Sequence, residues 1–130
     1  MTKIQFKNVE ALGVPKLPLS HATKAGGYTF LSGQFAVSAE TGKLVEGGLD
    51  EQARQTFANI ETTLASIGCT FADVAKTTVY LRDMADFAAM NSIYGGHFKD
   101  GFPARTTVAV TGLPMDARIE IEAVVYTPDH

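Results

Sequence analysis

The stretch FPARTTVAVTGLPMDARIEIEAVVY, residues 102–126, holds two runs with strand alternation, at 105–111 and 118–126, joined by the turn GLPMDA. Successive side chains of a strand point to opposite faces. Arg105, Thr107 and Ala109 therefore share one face, and Thr106, Val108 and Val110 share the other. In the second run Ile119, Ile121 and Val125 fall together, opposite Glu120, Glu122, Val124 and Tyr126. Three charges thus stand at strand positions that ought to be partly buried. They read as a cross-strand ion pair or a solvated face, or else as an anion site. In the second case the planar fork of Arg105, held just after Pro103, binds a carboxylate, and a glutamate holds a water or transfers a proton. Spacing alone leaves both readings open.

Working outward, VAKTTVYLR (74–82) is rich in β-branched and aromatic residues and predicts a strand. Before it, Ala53, Phe57, Ile60, Leu64 and Ile67 recur at helical spacing, which predicts a helix capped by Asp50 and ended by Gly68. After it, Asp83 or Asp86 caps a second helix whose face is Met84, Phe87, Met90, Tyr94 and Phe98, with Gly95-Gly96 weakening its last turns. Near the N-terminus, KIQFK (3–7) and YTFLSGQFAV (28–37) read as strands, the latter bounded by Gly26-Gly27. Thr41-Gly42 supplies a hairpin turn, so the first half reads as a β-meander. The predicted order is β-β-β-α-β-α-β-β. Two helices with one apolar stripe each can both lie on one face of a sheet, which leaves the other face in need of a partner.

A chain of 130 residues, 45% apolar and 19% charged, with no repeat, charge block or linker, is expected to form a single domain over 1–130. The first ten residues, MTKIQFKNVE, lack an apolar core of signal-peptide length, and no segment approaches the roughly 18 apolar residues of a membrane helix. A cytoplasmic protein without membrane contact is expected. Cys69 is the sole cysteine, which excludes an intramolecular disulfide, and no Cys/His spacing resembles a metal site. A net charge of −3 and a pI near 5.5 provide no long-range attraction for nucleic acid.

FPAR followed by TTVAV, then LP, then IEIEA, resembles the C-terminal signature of the RidA/YjgF family. LSGQ, QARQTFANIETTLASIG and VAKTTVYLRDMADFAAMN match the same family in the same order, so the likeness runs from about Gly27 to Tyr126. The resemblance implies a chorismate-mutase-like α+β fold, with a mixed sheet carrying two helices on one face. It also implies a homotrimer with a central β-barrel and intersubunit clefts. The implied activity is cofactor-free hydrolysis of short 2-imino or enamine acids, such as 2-iminobutanoate, 2-iminopropanoate and 2-aminoacrylate, to keto acids and ammonia. A functional link to pyridoxal-phosphate dehydratases, whose unstable products these are, comes with it. The implied site has Arg105 gripping the substrate carboxylate, Glu120 positioning the attacking water, the Thr107 backbone N–H facing the imine, and Ser32 and Gly33 lining the cleft.

The chain departs from the family pattern at LPLSH, where Leu19 replaces a tyrosine that closes the cleft and His21 replaces a glutamine. Thr107 replaces a common cysteine. Leu19 and His21 are therefore expected at the cleft, with His21 either a polar replacement there or a surface loop residue. A trimer that binds a small carboxylate without chemistry is an alternative, as are an aminoacrylate deaminase of pyrimidine breakdown and, less favoured by the acidic composition, a ribonuclease or translation inhibitor. Glu122 reads as a site residue or an intersubunit salt-bridge partner, and His97 as a helix-end cap or surface residue. Cys69 reads as a small apolar residue, and the terminal His130 has no assigned role.

Overall fold

The computed structural model describes residues 3–129, so His130 lies outside the described residues. Eight principal elements follow the predicted order: β1 (Gln5–Lys7), β2 (Ala22–Ala25), β3 (Tyr28–Gln34), α1 (Leu49–Ser66), β4 (Val74–Leu81), α2 (Phe87–Gly95), β5 (Ala104–Ala109) and β6 (Ile119–Tyr126). The strands form one mixed sheet in the order β1-β2-β3-β6-β4-β5. Only β4 and β5 are parallel. A parallel neighbour needs a crossover, which α2 supplies.

Both helices pack on the same face of the sheet. Ala53, Phe57, Ile60 and Leu64 of α1, and Met90, Ile93 and Tyr94 of α2, are buried against Val79, Leu81, Ile119, Ile121, Ala123 and Val125. The predicted stripes thus form the core, with two exceptions at the start of the second helix. Met84 and Phe87 are exposed, because a short 3-10 turn at Met84–Asp86 precedes α2 and turns its first residues away from the core. Asp83 caps that turn by accepting from the Ala85 N–H at 2.9 Å.

The start of α1 also differs from expectation. Gly48, not Asp50, occupies the cap position, and its N–H donates to Glu51 Oε1 at 2.7 Å, which leaves Asp50 in the first turn, where its charge suits the helix dipole. At the other end the predicted stop is present as a Schellman motif. Gly68, at φ 73°, donates to the Ala65 carbonyl and Cys69 to the Leu64 carbonyl.

The N-terminal half is a meander of different composition from the predicted one. Its middle strand is Ala22–Ala25, whose sequence ATKA holds one strand-favouring residue, Thr23, and Gly26-Gly27 is its hairpin turn, with Gly26 at φ 61°. Thr41-Gly42 closes only a loop, in which Val37 and Leu44 form a single bridge. The strand predicted to run to residue 37 stops at Gln34, after a register break between Leu31 and Gln34. Beyond it, the Phe35 and Val37 carbonyls accept from Asn59 Nδ2 of α1 at 3.1 and 3.0 Å. A buried side chain on the helix thus takes acceptors that a longer strand would have offered to a neighbour.

Replacing Gly68 with alanine forces a Cβ into the left-handed region and is expected to destabilise the fold by about 1 kcal/mol. The shift of the urea unfolding midpoint, at unchanged slope, measures it.

Candidate active site

Register decides where each charge goes. Arg105 pairs with Thr77 of β4, and Thr77 pairs in turn with Ala123 of β6, so all three face the helices. The Arg105 guanidinium carbon lies 4.8 Å from the centroid of the Tyr94 ring and 5.7 Å from that of Phe87. Such stacking holds a cation without neutralising it. Tyr94 is itself fixed by a hydroxyl contact of 2.6 Å with Thr77, and burial pushes its phenol upward, so it stays neutral. Among the described residues Arg105 forms no ion pair. It borders an opening of about 310 Å³ shared with Asn91, Tyr94, Gly95, Phe102 and Pro103. The Asn91 Oδ1 and the Thr107 Oγ1 are both buried without a hydrogen-bond partner, and an unmatched buried polar atom is costly enough to need a reason.

Glu120 points the other way. It pairs with Tyr80 of β4 on the face away from the helices, where Glu122 accepts a hydrogen bond of 2.5 Å from the Tyr80 hydroxyl. Burial, and then the charge of Glu122, raise the Glu120 carboxyl above its ordinary range. Its carboxylate lies against Gly33, where a Cβ would stand 2.9 Å from Glu120 Cδ. Only glycine leaves that space open.

Gly33 and Ser32 also line a second cleft of about 310 Å³, whose walls include Leu19 and His21. The Ser32 hydroxyl donates to the Ser20 carbonyl at 2.5 Å and its N–H to the His21 carbonyl at 2.9 Å, so the cleft loop is tied to β3 through Ser32. His21 is buried, not a surface loop residue. Its Nδ1 accepts from the Val9 N–H at 2.7 Å, which puts the proton of the neutral ring on Nε2, and burial lowers its pKa. Histidine here is a neutral clamp on the N-terminal segment as well as a cleft wall.

One chain therefore brings Glu120, Gly33, Ser32, Leu19 and His21 to one region and Arg105 with Thr107 to another. Glu120 and the Arg105–Thr107 pair lie on opposite faces of the sheet, with β4 between their strands. Two residues of the Arg105 region were not anticipated. Phe87 and Asn91 sit four apart on α2, in line with Tyr94, and the signal was a polar asparagine on a face otherwise read as core. His97 is corrected too: its ring stacks on Phe57 at 4.2 Å and contacts Phe71 at 5.1 Å, so it is a half-buried aromatic of the core edge. Burial lowers its pKa. Cys69 is buried, and burial raises its thiol, in keeping with a packing role. Among the described residues there is no group of three or more metal-ligating side chains, and no helix is long and apolar enough to cross a membrane.

Comparison with known proteins adds independent information. Residues 11–127 match the family model for endoribonuclease L-PSP. A RutC family protein of Pyrococcus horikoshii is 46% identical over 109 residues, spanning 84% of this chain and 86% of its own. A 2-iminobutanoate/2-iminopropanoate deaminase of Homo sapiens is 44% identical over 107 residues, spanning 82% and 78%. Among solved structures, the YjgF gene product of E. coli superposes with a TM-score of 0.87 at 33% identity, over 94% of this chain and 98% of that one.

The raised Glu120 carboxyl has a stability consequence with a defined sign. A folded pKa above the unfolded value means the stabilising effect is complete below the ordinary carboxylate range and is lost as pH rises through the folded value. Glu120→Gln is therefore expected to unfold at a higher urea concentration than the parent at pH 7. The difference is expected to shrink toward zero as the pH falls below the carboxylate range.

Proposed function

Because the chain belongs to the endoribonuclease L-PSP family, also called RidA/YjgF, we propose that it hydrolyses short 2-imino acids to 2-keto acids and ammonia. The observation that carries this reading is a pair of unmatched charges, a guanidinium with no acid beside it and a raised carboxylate with no base. A 2-imino acid matches both, since its carboxylate pairs with Arg105 in a bidentate bond and its imine carbon takes a water held by Glu120. The water oxygen adds to the imine carbon, and Glu120 accepts the water's proton and passes it to nitrogen. The C–N bond then breaks as the C=O bond forms, the remaining hydroxyl proton passing to Glu120 and on to solvent, so that one water is consumed and ammonia leaves with no redox change. A carboxyl raised above its usual range is closer to neutral pH and hence better matched to that transfer. The protonated imine is already electrophilic, so most of the catalysis is positioning.

Arg105 and Glu120 act on one molecule only if they come from different copies. The reading therefore includes a homotrimer in which Arg105 and Thr107 of one copy meet Glu120, Ser32 and Gly33 of the next. The face of the sheet away from the helices supports such an assembly, because Phe6, Tyr28, Phe30, Val108 and Tyr126 all stand exposed on it. Unpartnered apolar area of that extent is a usual mark of an interface. The Thr107 backbone N–H serves the imine end, and no cofactor enters the chemistry. A cytoplasmic setting with pyridoxal-phosphate dehydratases as the source of substrate completes the proposal.

A ligand-binding trimer without chemistry is the second reading. It is favoured by Leu19, which leaves no hydroxyl at that point of the cleft wall. RNA cleavage, which the family model's name mentions, finds no support in a chain of net charge −3.

The deciding experiment generates 2-iminopropanoate and 2-iminobutanoate in situ with an amino-acid oxidase and follows their decay. Acceleration by the parent is expected, with at least a roughly hundredfold loss in Arg105→Ala while the oligomer stays intact. Full activity in that variant would end the assignment of Arg105, and absence of acceleration by an intact oligomer would favour the binding-only reading.

A further inference from the structure

The cleft beside Gly33 is larger and more apolar than a three-carbon or four-carbon imino acid requires. At about 310 Å³ it is roughly twice the ~150 Å³ cavity that accommodates benzene. Leu12, Pro15, Leu17, Leu19 and Val37 form its walls. Of the polar groups in its lining, the Ser32 hydroxyl is bonded to Ser20, Asn59 Nδ2 to the Phe35 and Val37 carbonyls, and His21 Nδ1 to Val9, while Lys16 and Gln34 also line it. Leu17 and Leu19 remain exposed at 69% and 47%, so apolar surface is available to whatever enters. Gly33 belongs both to this cleft and to the seat of the Glu120 carboxylate. A substrate whose reacting carbon lies at Glu120 can thus extend its side chain along Gly33 into the apolar space.

We infer that the preferred ligand is a 2-imino or 2-keto acid with a branched or aromatic side chain of four or more carbons, held by the Leu12, Leu17, Leu19 and Val37 wall. This inference rests on the reading of the Glu120 region as part of a 2-imino acid site, and it names the substrate class of that site. Removing a methylene from water into an apolar wall favours binding by about fourfold. Since the methyl group of pyruvate has little to bury, side-chain length is the quantity that the cleft discriminates. A reaction that forms imines of branched or aromatic amino acids would then supply the substrate.

Calorimetric titration of the intact oligomer with stable keto acids tests this without needing turnover. 4-Methyl-2-oxopentanoate and phenylpyruvate are expected to bind at least about tenfold more tightly than pyruvate. Leu17→Ser and Leu19→Ser, both at exposed positions that the fold tolerates, are each expected to reduce that ratio about threefold or more. Equal affinity for the three acids in the parent would overturn the inference, as would an unchanged ratio in both variants. Imine hydrolysis is scored separately by ammonia release. If no imine is hydrolysed but the binding order holds, the deaminase reading fails and the side-chain preference stands.

Discussion

Ile119, Ile121 and Val125 are fully buried beneath the two helices, and that burial determines the direction of every other side chain on β6. Because the period of a strand is two, Glu120 and Glu122 have no alternative but the opposite face. A register slip of one residue would drive both carboxylates into the core, at a cost far above the stability of a domain this size. The same register, passed through β4, sends Arg105 to the helix side. Core packing thus separates the two charges.

The consequence is a subunit holding two incomplete polar regions. On the helix side, Arg105 is stacked on Tyr94, and Asn91 and Thr107 each keep a buried oxygen without a partner. On the far side, Glu120 sits in a space that only glycine at position 33 leaves open, with its proton affinity raised by burial and by Glu122. Natural folds seldom leave buried polar atoms unmatched unless something else completes them. Two regions of complementary charge on opposite faces of one sheet fit a function exercised between copies, which is the basis of the proposed assembly.

Residues that look chemically active by type are here occupied structurally. His21 spends its Nδ1 on the Val9 N–H, and His97 packs against Phe57 and Phe71. Burial disfavours the charged form of both, so neither offers a cation at neutral pH. Cys69 is likewise held protonated by burial. What remains for chemistry is the arginine and the glutamate, neither of which has an ion-pair partner among the described residues.

The elements from α1 onward, most of the helical stripes, the stop at Gly68 and the faces of the last two strands were legible in the sequence, because each is set by local periodicity or by one residue's backbone freedom. The importance of Arg105 and Glu120 was legible as charge in an apolar pattern. Other features were decided by contacts distant in the chain. ATKA became a strand because its neighbours pair with it, and YTFLSGQ ended where Asn59, more than twenty residues away, took the next carbonyls. Phe87 left the core for the Arg105 platform, and Asn91 joined it. Above all, alternation states that two residues of one strand oppose each other but says nothing about two strands that are not yet paired. Only the register of β6 on β4 and of β4 on β5 places Arg105 and Glu120 on opposite faces, because strand pairing is a long-range choice made by burial.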